Sequence, residues 1–523
     1  MGIPSYFSKI VKKCPSMVKN LTKERKSFNH LYMDCNSIVY DAVRKLDSAN
    51  PDFENKLIDQ VIFNIDGYIN QVKPKNTVFI AFDGVAPFAK MNQQKTRRYK
   101  SAFMASSDFV EPVKPGGWST SNITPGTKFM ETLSMRLTAE FKNKERKYNV
   151  DTVIFSGSND VGEGEHKIFK HARGVANVNS NMIIYGLDSD LIMLSIFHTR
   201  IFKDIYVFRE APEFMKSSID VGKSDDPYLL DISMLCNSIL NEIDPKFLDK
   251  QRVMDYAFMC FLLGNDFLPH FPALNIRTHG IDTLLTIYSK VIGNHAGRYF
   301  ISPVNTIQWT NFKLLIAELA KNETIYITEE YASRNKYDKR TWKTETKADR
   351  EMALLNMPMI HRVEEKYICP DITHWEERYY KALFEIDRKP NHLDKICANY
   401  LEGLEWTFKY YVGDCPDWRW SYEYHYPPLF VDLVNYIHMT EKSVLKHSRK
   451  PFTPNVQLAY VLPPAQFDLL PDKTRVYLQT HFSEYYSDTI DFQWAFCRYF
   501  WEAHVRFKDV DVKMLDEWDK HIS

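Results

Sequence analysis

DTVIFSGSNDVGEGEHKIFKHARGVANVNSNMIIYGLDSDLIML, residues Asp151 to Leu194, contains two apolar runs of β-type composition, Thr152 to Phe155 and Met182 to Tyr185, each stopping at glycine and acid. Just past these ends lie four carboxylates, Glu163, Glu165, Asp188 and Asp190. Gly162 and Gly164 flank the first pair and allow close backbone approach, and the pair opens a helix through Lys167, Ile168, Phe169 and Lys170. Taken alone, either pair reads as a capped helix after a turn, because the helix dipole favours acid there. Both together read differently. In an open α/β sheet the strand C-termini converge on one crevice, where like charges repel by roughly 1–4 kcal/mol per close pair. A divalent cation removes that cost.

Working outward, more strands are expected to carry acid to the same edge: Phe28 to Met33 ends at Asp34, Thr77 to Phe82 ends at Asp83, and the run FMCFLLGND reaches Asp266 after Gly264. Seven acids at five such exits fit a hard-cation site. With no His or Cys among these oxygen donors, the expected ion is Mg²⁺ or Mn²⁺ and not zinc. Two ions about 4 Å apart would suit hydrolysis of a phosphodiester.

The strings MGIPSYF (1–7), MDCN (33–36), FDGVAPFAKMNQQKTRRYKSA (82–102), GEGEHKI (162–168), YGLDSDLIML (185–194) and FLLGNDFLPH (261–270) resemble the Xrn family of 5′→3′ exoribonucleases and occur in that family's order. A second block resembles the family's second conserved region, from HWEERYYK (374–381) through WRWSYEYHYPP (418–428) to CRYFWEAHV (497–505). The resemblance implies a PIN/5′-nuclease-like α/β fold: a mainly parallel sheet flanked by helices, with a mostly helical C-terminal region packed on it. It also implies a catalytic and metal-binding set of Asp34, Asp83, Glu163, Glu165, Asp188, Asp190 and Asp266. The implied activity is processive removal of nucleotides from single-stranded RNA bearing a 5′-monophosphate. Rival readings are a flap-type DNA 5′-nuclease, against which GEGEHK counts, and an inactive RNA-binding scaffold, against which the seven intact acids count.

With 523 residues, 44% apolar and 14% aromatic, the chain is long enough to bury a large core. Lys+Arg and Asp+Glu are both 67, so a polyanion must be held by local patches, not by net charge. Eight cysteines without CxxC spacing read as reduced thiols of an intracellular protein. No signal peptide or membrane span is visible, and Tyr6 stands where a myristoylation motif wants Ser or Thr. KNKERK (142–147) reads as a solvated helix face and not an import signal, so the expected location is cytoplasmic more than nuclear. The expected assembly is a monomer. In the family reading, Gly2 to Phe7 packs at the active-site entrance and helps exclude duplex.

Strands alternate with amphipathic helices over residues 1–300, which implies βαβ units and defines the catalytic region. Residues 301–373 read as a variable connector with a strongly polar stretch from Lys336 to Arg350. Residues 374–523 form the second conserved region, helical over Trp375 to Ile386 and His392 to Tyr411, and complete the pocket; the chain ends soon after WEAHV, as in a minimal enzyme without additional C-terminal domains.

Beyond Asp83, Pro87 starts a helix on which Lys90, Gln94, Arg97 and Arg98 fall at i, i+4, i+7 and i+8, one stripe. Three cations and an amide suit a terminal phosphate, and this stripe matches the family's 5′-monophosphate pocket. Such a pocket should reject a cap or triphosphate by bulk and a 5′-hydroxyl by leaving cations unpaired. For base stacking the family usually has a histidine six residues after the first metal-binding Asp, where this chain has Tyr40. Trp420 is the preferred opposing ring, ahead of Trp418.

Overall fold

The structure is a computed structural model that describes every residue except 1, 2, 4, 25, 107–117, 187, 211–226, 244–248, 438–443, 487–489, 509 and 523, and the side chains of 105 and 106. Seven strands form the principal sheet among the described residues: β1 (Val18–Asn20), β2 (His30–Asp34), β3 (Thr77–Ala81), β4 (Thr152–Ser156), β5 (Asn177–Tyr185), β6 (Phe202–Glu210) and β7 (Pro227–Asp231). They lie in the order β1-β7-β6-β5-β2-β3-β4. The pairs β6·β5, β5·β2, β2·β3 and β3·β4 are parallel, whereas β7 and β1 run antiparallel at one edge. The mainly parallel α/β sheet expected from the sequence is therefore present. Its central strands are buried on both faces, as the near-continuous apolar runs HLYM and TVFIA require.

Apolar side chains cover both faces. One layer, from the helices Asn36–Lys45, Phe53–Val72 and Lys128–Phe141, contributes Ile38, Leu57, Val61, Ile65 and Leu133. The opposite layer is a single cluster running from Ile3 through Leu191, Phe258 and Leu262 to Tyr400, Trp406 and Ile437. The C-terminal region thus shares the core of the N-terminal half, and each large apolar side chain buried there stabilises the fold by roughly 1.5–3 kcal/mol. A third cluster joins Ala86, Phe88 and Met91 to Val456, Leu458 and Trp518, fixing the start of the helix Phe88–Ser106 against the end of the chain.

Two expectations need correction. FMCFLLGND is no strand. Its first residues are the last turn of the helix Gln251–Cys260, followed by the 3₁₀ turn Phe261–Leu263. The run is apolar all round because that helix is buried on every side. Residues 309–335, expected within a connector, form a helix that puts Phe312, Leu315, Ile316 and Leu319 into the main core. The polar stretch beyond it forms a 3₁₀ turn at Lys336–Lys339 and a helix capped by Thr346 and Asp349. Met1, Gly2 and Pro4 of the expected entrance segment lie outside the described residues. Ile3 and Tyr6 are buried, and the Ile3 carbonyl accepts from Ser189 Oγ at 3.4 Å, beside the helix that carries Asp190. All eight cysteines are free thiols. Among the described residues no helix is long and apolar enough to cross a membrane.

Candidate active site

Four of the parallel strands, β2 to β5, deliver acid to the same sheet edge. Asp34 closes β2, Asp83 follows β3, Glu163 immediately precedes the helix Gly164–Gly174 after β4, and Asp188 immediately precedes the helix Ser189–His198 after β5. Asp266 arrives from the other side, in the loop after Phe261–Leu263. Gly162 adopts φ +110°, a region that L side chains avoid, and its N–H and C=O pair with the Val85 carbonyl and Gly84 N–H at 2.9 Å each. That ties the two acid loops together. Gly164 packs so closely that a Cβ would stand 2.5 Å from Asp34 Oδ1, while its N–H donates to Asp83 Oδ1 at 2.7 Å.

Carboxylate oxygens of Asp34, Asp83 and Glu165 all lie within 4.8 Å of one another. Asp34 Oδ1 is buried and has no hydrogen-bond partner among the described residues. Burial, reinforced by Asp83 and Asp188, pushes the Asp34 carboxyl well above the usual range. Glu165 is raised in the same way by burial and then Glu163, and Asp190 by burial and then Asp266. Glu163 is raised by burial, although Lys90 opposes the shift. An orphaned buried oxygen amid carboxyls that resist ionising together fits a divalent cation, whose charge would remove the penalty. Asp34, Asp83 and Glu165 would hold it, with Glu163, Asp188, Asp190 and Asp266 around them.

Lys90 is where the two expected constellations meet. Its ammonium pairs with Glu163 at 2.6 Å and Asp266 at 2.9 Å. Burial alone would lower Lys90, but Asp266 and Glu163 outweigh it and hold the ammonium strongly protonated. Burial would likewise raise Asp266, yet Lys90 keeps that carboxyl below its ordinary value. Further along the same helix, Gln94 is half-buried, Arg97 is exposed, and Arg98 donates to Thr124 Oγ1 at 2.5 Å. The stripe therefore starts inside the acid crevice and rises out of it.

The stacking residues are arranged differently from expectation. Trp420 is 5% exposed and stacks on Trp406, 5.2 Å between ring centroids, with Gly403 so close that a Cβ would meet the Trp420 ring at 2.9 Å. It is a core ring, closed to a base. Trp418 is half-buried at the crevice, its ring 3.9 Å from where a Cβ of Gly162 would be. Tyr40 is half-buried against the core layer of the helix Phe53–Val72.

Several residues at the site were not predicted. Asn36 donates to Asp83 Oδ2 at 2.5 Å and accepts from the Asp83 N–H at 3.1 Å, fixing that carboxylate. Tyr410 donates to Glu163 at 2.9 Å and Tyr411 to Asp190 at 2.5 Å. His166 has a ring nitrogen within 4.8 Å of oxygens of Glu163 and Glu165, and its ring stacks on Tyr410 at 3.5 Å. Burial pushes its pKa well below the usual imidazole range, so a neutral ring nitrogen lies beside the oxygen donors named from the sequence. Asn36 and His166 sit inside the quoted strings MDCN and GEGEHKI, and so carried a signal; Tyr410 and Tyr411 looked like two more aromatics of an amphipathic helix.

The fold is thus a mainly parallel α/β sheet that gathers buried acids at its strand ends, beside a basic helix, in an arrangement that could hold a divalent cation. The XRN 5'-3' exonuclease N-terminus matches residues 1–211, and the Xrn1 helical domain matches 247–374 and 371–521. The chain belongs to this family. It is 27% identical to human 5'-3' exoribonuclease 1 over 99% of this chain and 34% of that protein. To the chicken (Gallus gallus) 5'-3' exoribonuclease 2 it is 25% identical over 98% of this chain and 69% of that one. To the Drosophila melanogaster 5'-3' exoribonuclease 2 homolog it is also 25% identical, over 90% and 65%. The chain thus spans about two thirds or less of the length of most such relatives. Among solved structures, the catalytic core of Rad2 in complex with DNA substrate aligns over 71% of this chain and 81% of that one, with a TM-score of 0.33 and 14% identity. That likeness is too distant to add to what the sheet topology shows. The helical match begins near residue 247, ahead of the boundary expected at 300, in keeping with the buried helix Gln251–Cys260.

Proposed function

We propose that the protein is a processive 5′→3′ exoribonuclease that degrades 5′-monophosphorylated single-stranded RNA to nucleoside 5′-monophosphates with two bound divalent ions, Mg²⁺ or Mn²⁺. The observation that carries this reading is Lys90, which joins the buried acid cluster to the helix bearing Gln94, Arg97 and Arg98. A strand end held on that helix has its first internucleotide bond near the carboxylates. Relatives named 5'-3' exoribonuclease add support.

Bound divalent ions would acidify the attacking water and neutralise charge on the leaving oxygen. The chain's own groups do the rest. Arg97 and Arg98 offer planar forks of donors, and Gln94 a neutral donor, to the terminal phosphate. Trp418 and Tyr40 offer rings against which bases stack, at roughly 1–3 kcal/mol each. Asn36, Tyr410 and Tyr411 hold Asp83, Glu163 and Asp190 in place by hydrogen bonds. Each cut frees a mononucleotide and leaves a new 5′-phosphate, which makes the next step equivalent to the last. Ile3 and Tyr6, packed beside the acid-bearing helix, favour a narrow entrance that admits single strands. The division into a catalytic region (1–300), connector and pocket-completing second region, the monomeric state and the cytoplasmic location belong to the same proposal.

The test is purified protein with Mg²⁺ and matched 5′-phosphate, 5′-hydroxyl and capped strands of RNA and DNA, with products resolved by size. Rapid loss of the 5′-phosphorylated RNA alone, as mononucleotides, is expected. Arg97→Ala should lower turnover of that substrate far more than of 5′-hydroxyl RNA. Equal loss on both ends would remove the phosphate pocket.

A further inference from the structure

Gln457 is fully buried in the helix Pro454–Val461 and bridges two parts of the site that are remote in sequence. Its Oε1 accepts from the Ala86 N–H at 2.8 Å, three residues past Asp83. Its Nε2 donates to Gln94 Oε1 at 3.4 Å. The two ends of a carboxamide are told apart only by their partners. Here the partners leave no choice. A main-chain N–H can only donate, so the end of Gln457 facing Ala86 is its oxygen, and the opposite end is an NH₂ with nothing to accept. Gln94 must then turn its own oxygen toward Gln457. Its NH₂ is left over for another acceptor, on a helix face shared with Arg97 and Arg98.

We propose that Gln457 is a positioning residue that sets the Gln94 carboxamide so that its N–H donors, and not its carbonyl, are presented to the 5′-terminal phosphate. The inference rests on the 5′-phosphate reading above. A carbonyl in that place would repel a phosphate oxygen and forfeit a donor, so orientation decides whether Gln94 recognises the anion or disfavours it. The neighbouring contacts keep the geometry stiff: Tyr460 donates to Asn92 Oδ1 at 2.6 Å, and the Lys95 ammonium lies 4.3 Å from the Tyr460 ring centroid.

Gln457→Glu preserves shape and keeps an acceptor for Ala86, but its other oxygen now calls for a donor. Gln94 is expected to turn its NH₂ toward it and show its carbonyl to the phosphate. The kcat/KM on 5′-phosphorylated RNA should fall on the order of 10–100-fold, while that on 5′-hydroxyl RNA changes little. In a Gln94→Ala background the same substitution should have no further effect on the preference for a 5′-phosphate. Gln457→Met, measured alongside, removes the orienting group without adding charge and should lose the same preference. Equal losses on both RNA ends, an effect that persists without Gln94, or two variants that fail to fold would assign Gln457 to packing alone and overturn the proposal. If the unmodified protein shows no preference for a 5′-phosphate, the pocket reading itself falls, an outcome separate from these.

Discussion

Two groups of buried charge stand in this molecule, and they are balanced in opposite ways. Glu365 is enclosed by fixed cations: it accepts from Arg334 at 3.0 and 2.5 Å, from Arg362 Nε at 2.5 Å and from the Phe496 N–H at 2.8 Å. Arg334 reaches on to the Cys497 carbonyl at 2.9 Å. Burial would lower the Arg334 guanidinium, but Glu365 outweighs that and raises it. In the crevice the carboxyls of Asp34, Glu163, Glu165 and Asp190 are all raised by burial, and among the described residues Lys90 pairs with Glu163 and Asp266. One group holds the helix Trp309–Asn335 to the chain's C-terminal part. The other holds more carboxyls than cations among the described residues. Buried charge that the fold itself neutralises is architecture, and buried charge left for a mobile cation marks the working site.

The largest expected effect separates the two at once. Asp34→Asn should lower cleavage by at least about 10³-fold on any RNA end, because it removes a candidate ligand. Folding should survive, seen as an unchanged circular dichroism spectrum and a cooperative melt. Retained turnover would place the chemistry elsewhere. Next in size, Glu365→Ala leaves two arginines buried without their anion and should cost about 3–5 kcal/mol in denaturant unfolding. A loss below about 1 kcal/mol would show that water reaches the network and that the comparison is false.

Third, pH separates the groups. Carboxyls raised in the folded state favour it fully below their unfolded values, about 3.9 for Asp and 4.3 for Glu, and that contribution is lost as pH rises through the raised folded values. The metal-free protein should therefore lose stability from the crevice as pH rises. Cation binding needs ionised carboxylates and grows in the same direction. At a hundredfold excess over Kd the gain is about 2.7 kcal/mol. The increase in Tm on adding Mn²⁺ should be larger at pH 7.5 than at pH 5.5. An equal increase at both would mean that the ion binds outside this cluster.

The crevice was legible because its acids lie at ends of apolar runs, where a local pattern reports a global position. Asp34, Asp83, Glu163 and Asp188 follow strands in the expected order. Asp266 reached the site from a helix that its all-round burial disguised as a strand. Tyr410, Tyr411 and Gln457 were beyond reach: their partners are 247, 221 and 371 residues away, and no local pattern encodes such a meeting. Trp420 was misread because an aromatic in a loop next to the site looks the same in sequence whether Trp406 covers its face or not. The Glu365 network was invisible for a related reason. Its arginines, Arg334 and Arg362, lie on either side of the polar stretch Lys336 to Arg350 within the region read as a connector, and only the packing of residues 309–335 into the core reveals their burial.

The smallest effect is the most discriminating. Asp34→Asn should also change stability, and in the direction opposite to Glu365→Ala. In the metal-free protein near pH 8 the neutral amide avoids burying a charge and relieves repulsion from Asp83 and Asp188, a gain of roughly 1 kcal/mol. Near pH 4 the wild-type carboxyl is itself protonated, so variant and parent should unfold alike. With saturating Mn²⁺ the order should invert, because the parent then holds an ion that the variant has lost the oxygen to bind. Denaturant midpoints under the three conditions measure this. A variant less stable than its parent in the metal-free state at pH 8 would show that Asp34 is already neutralised from within the fold, and the distinction between the two charge groups would disappear.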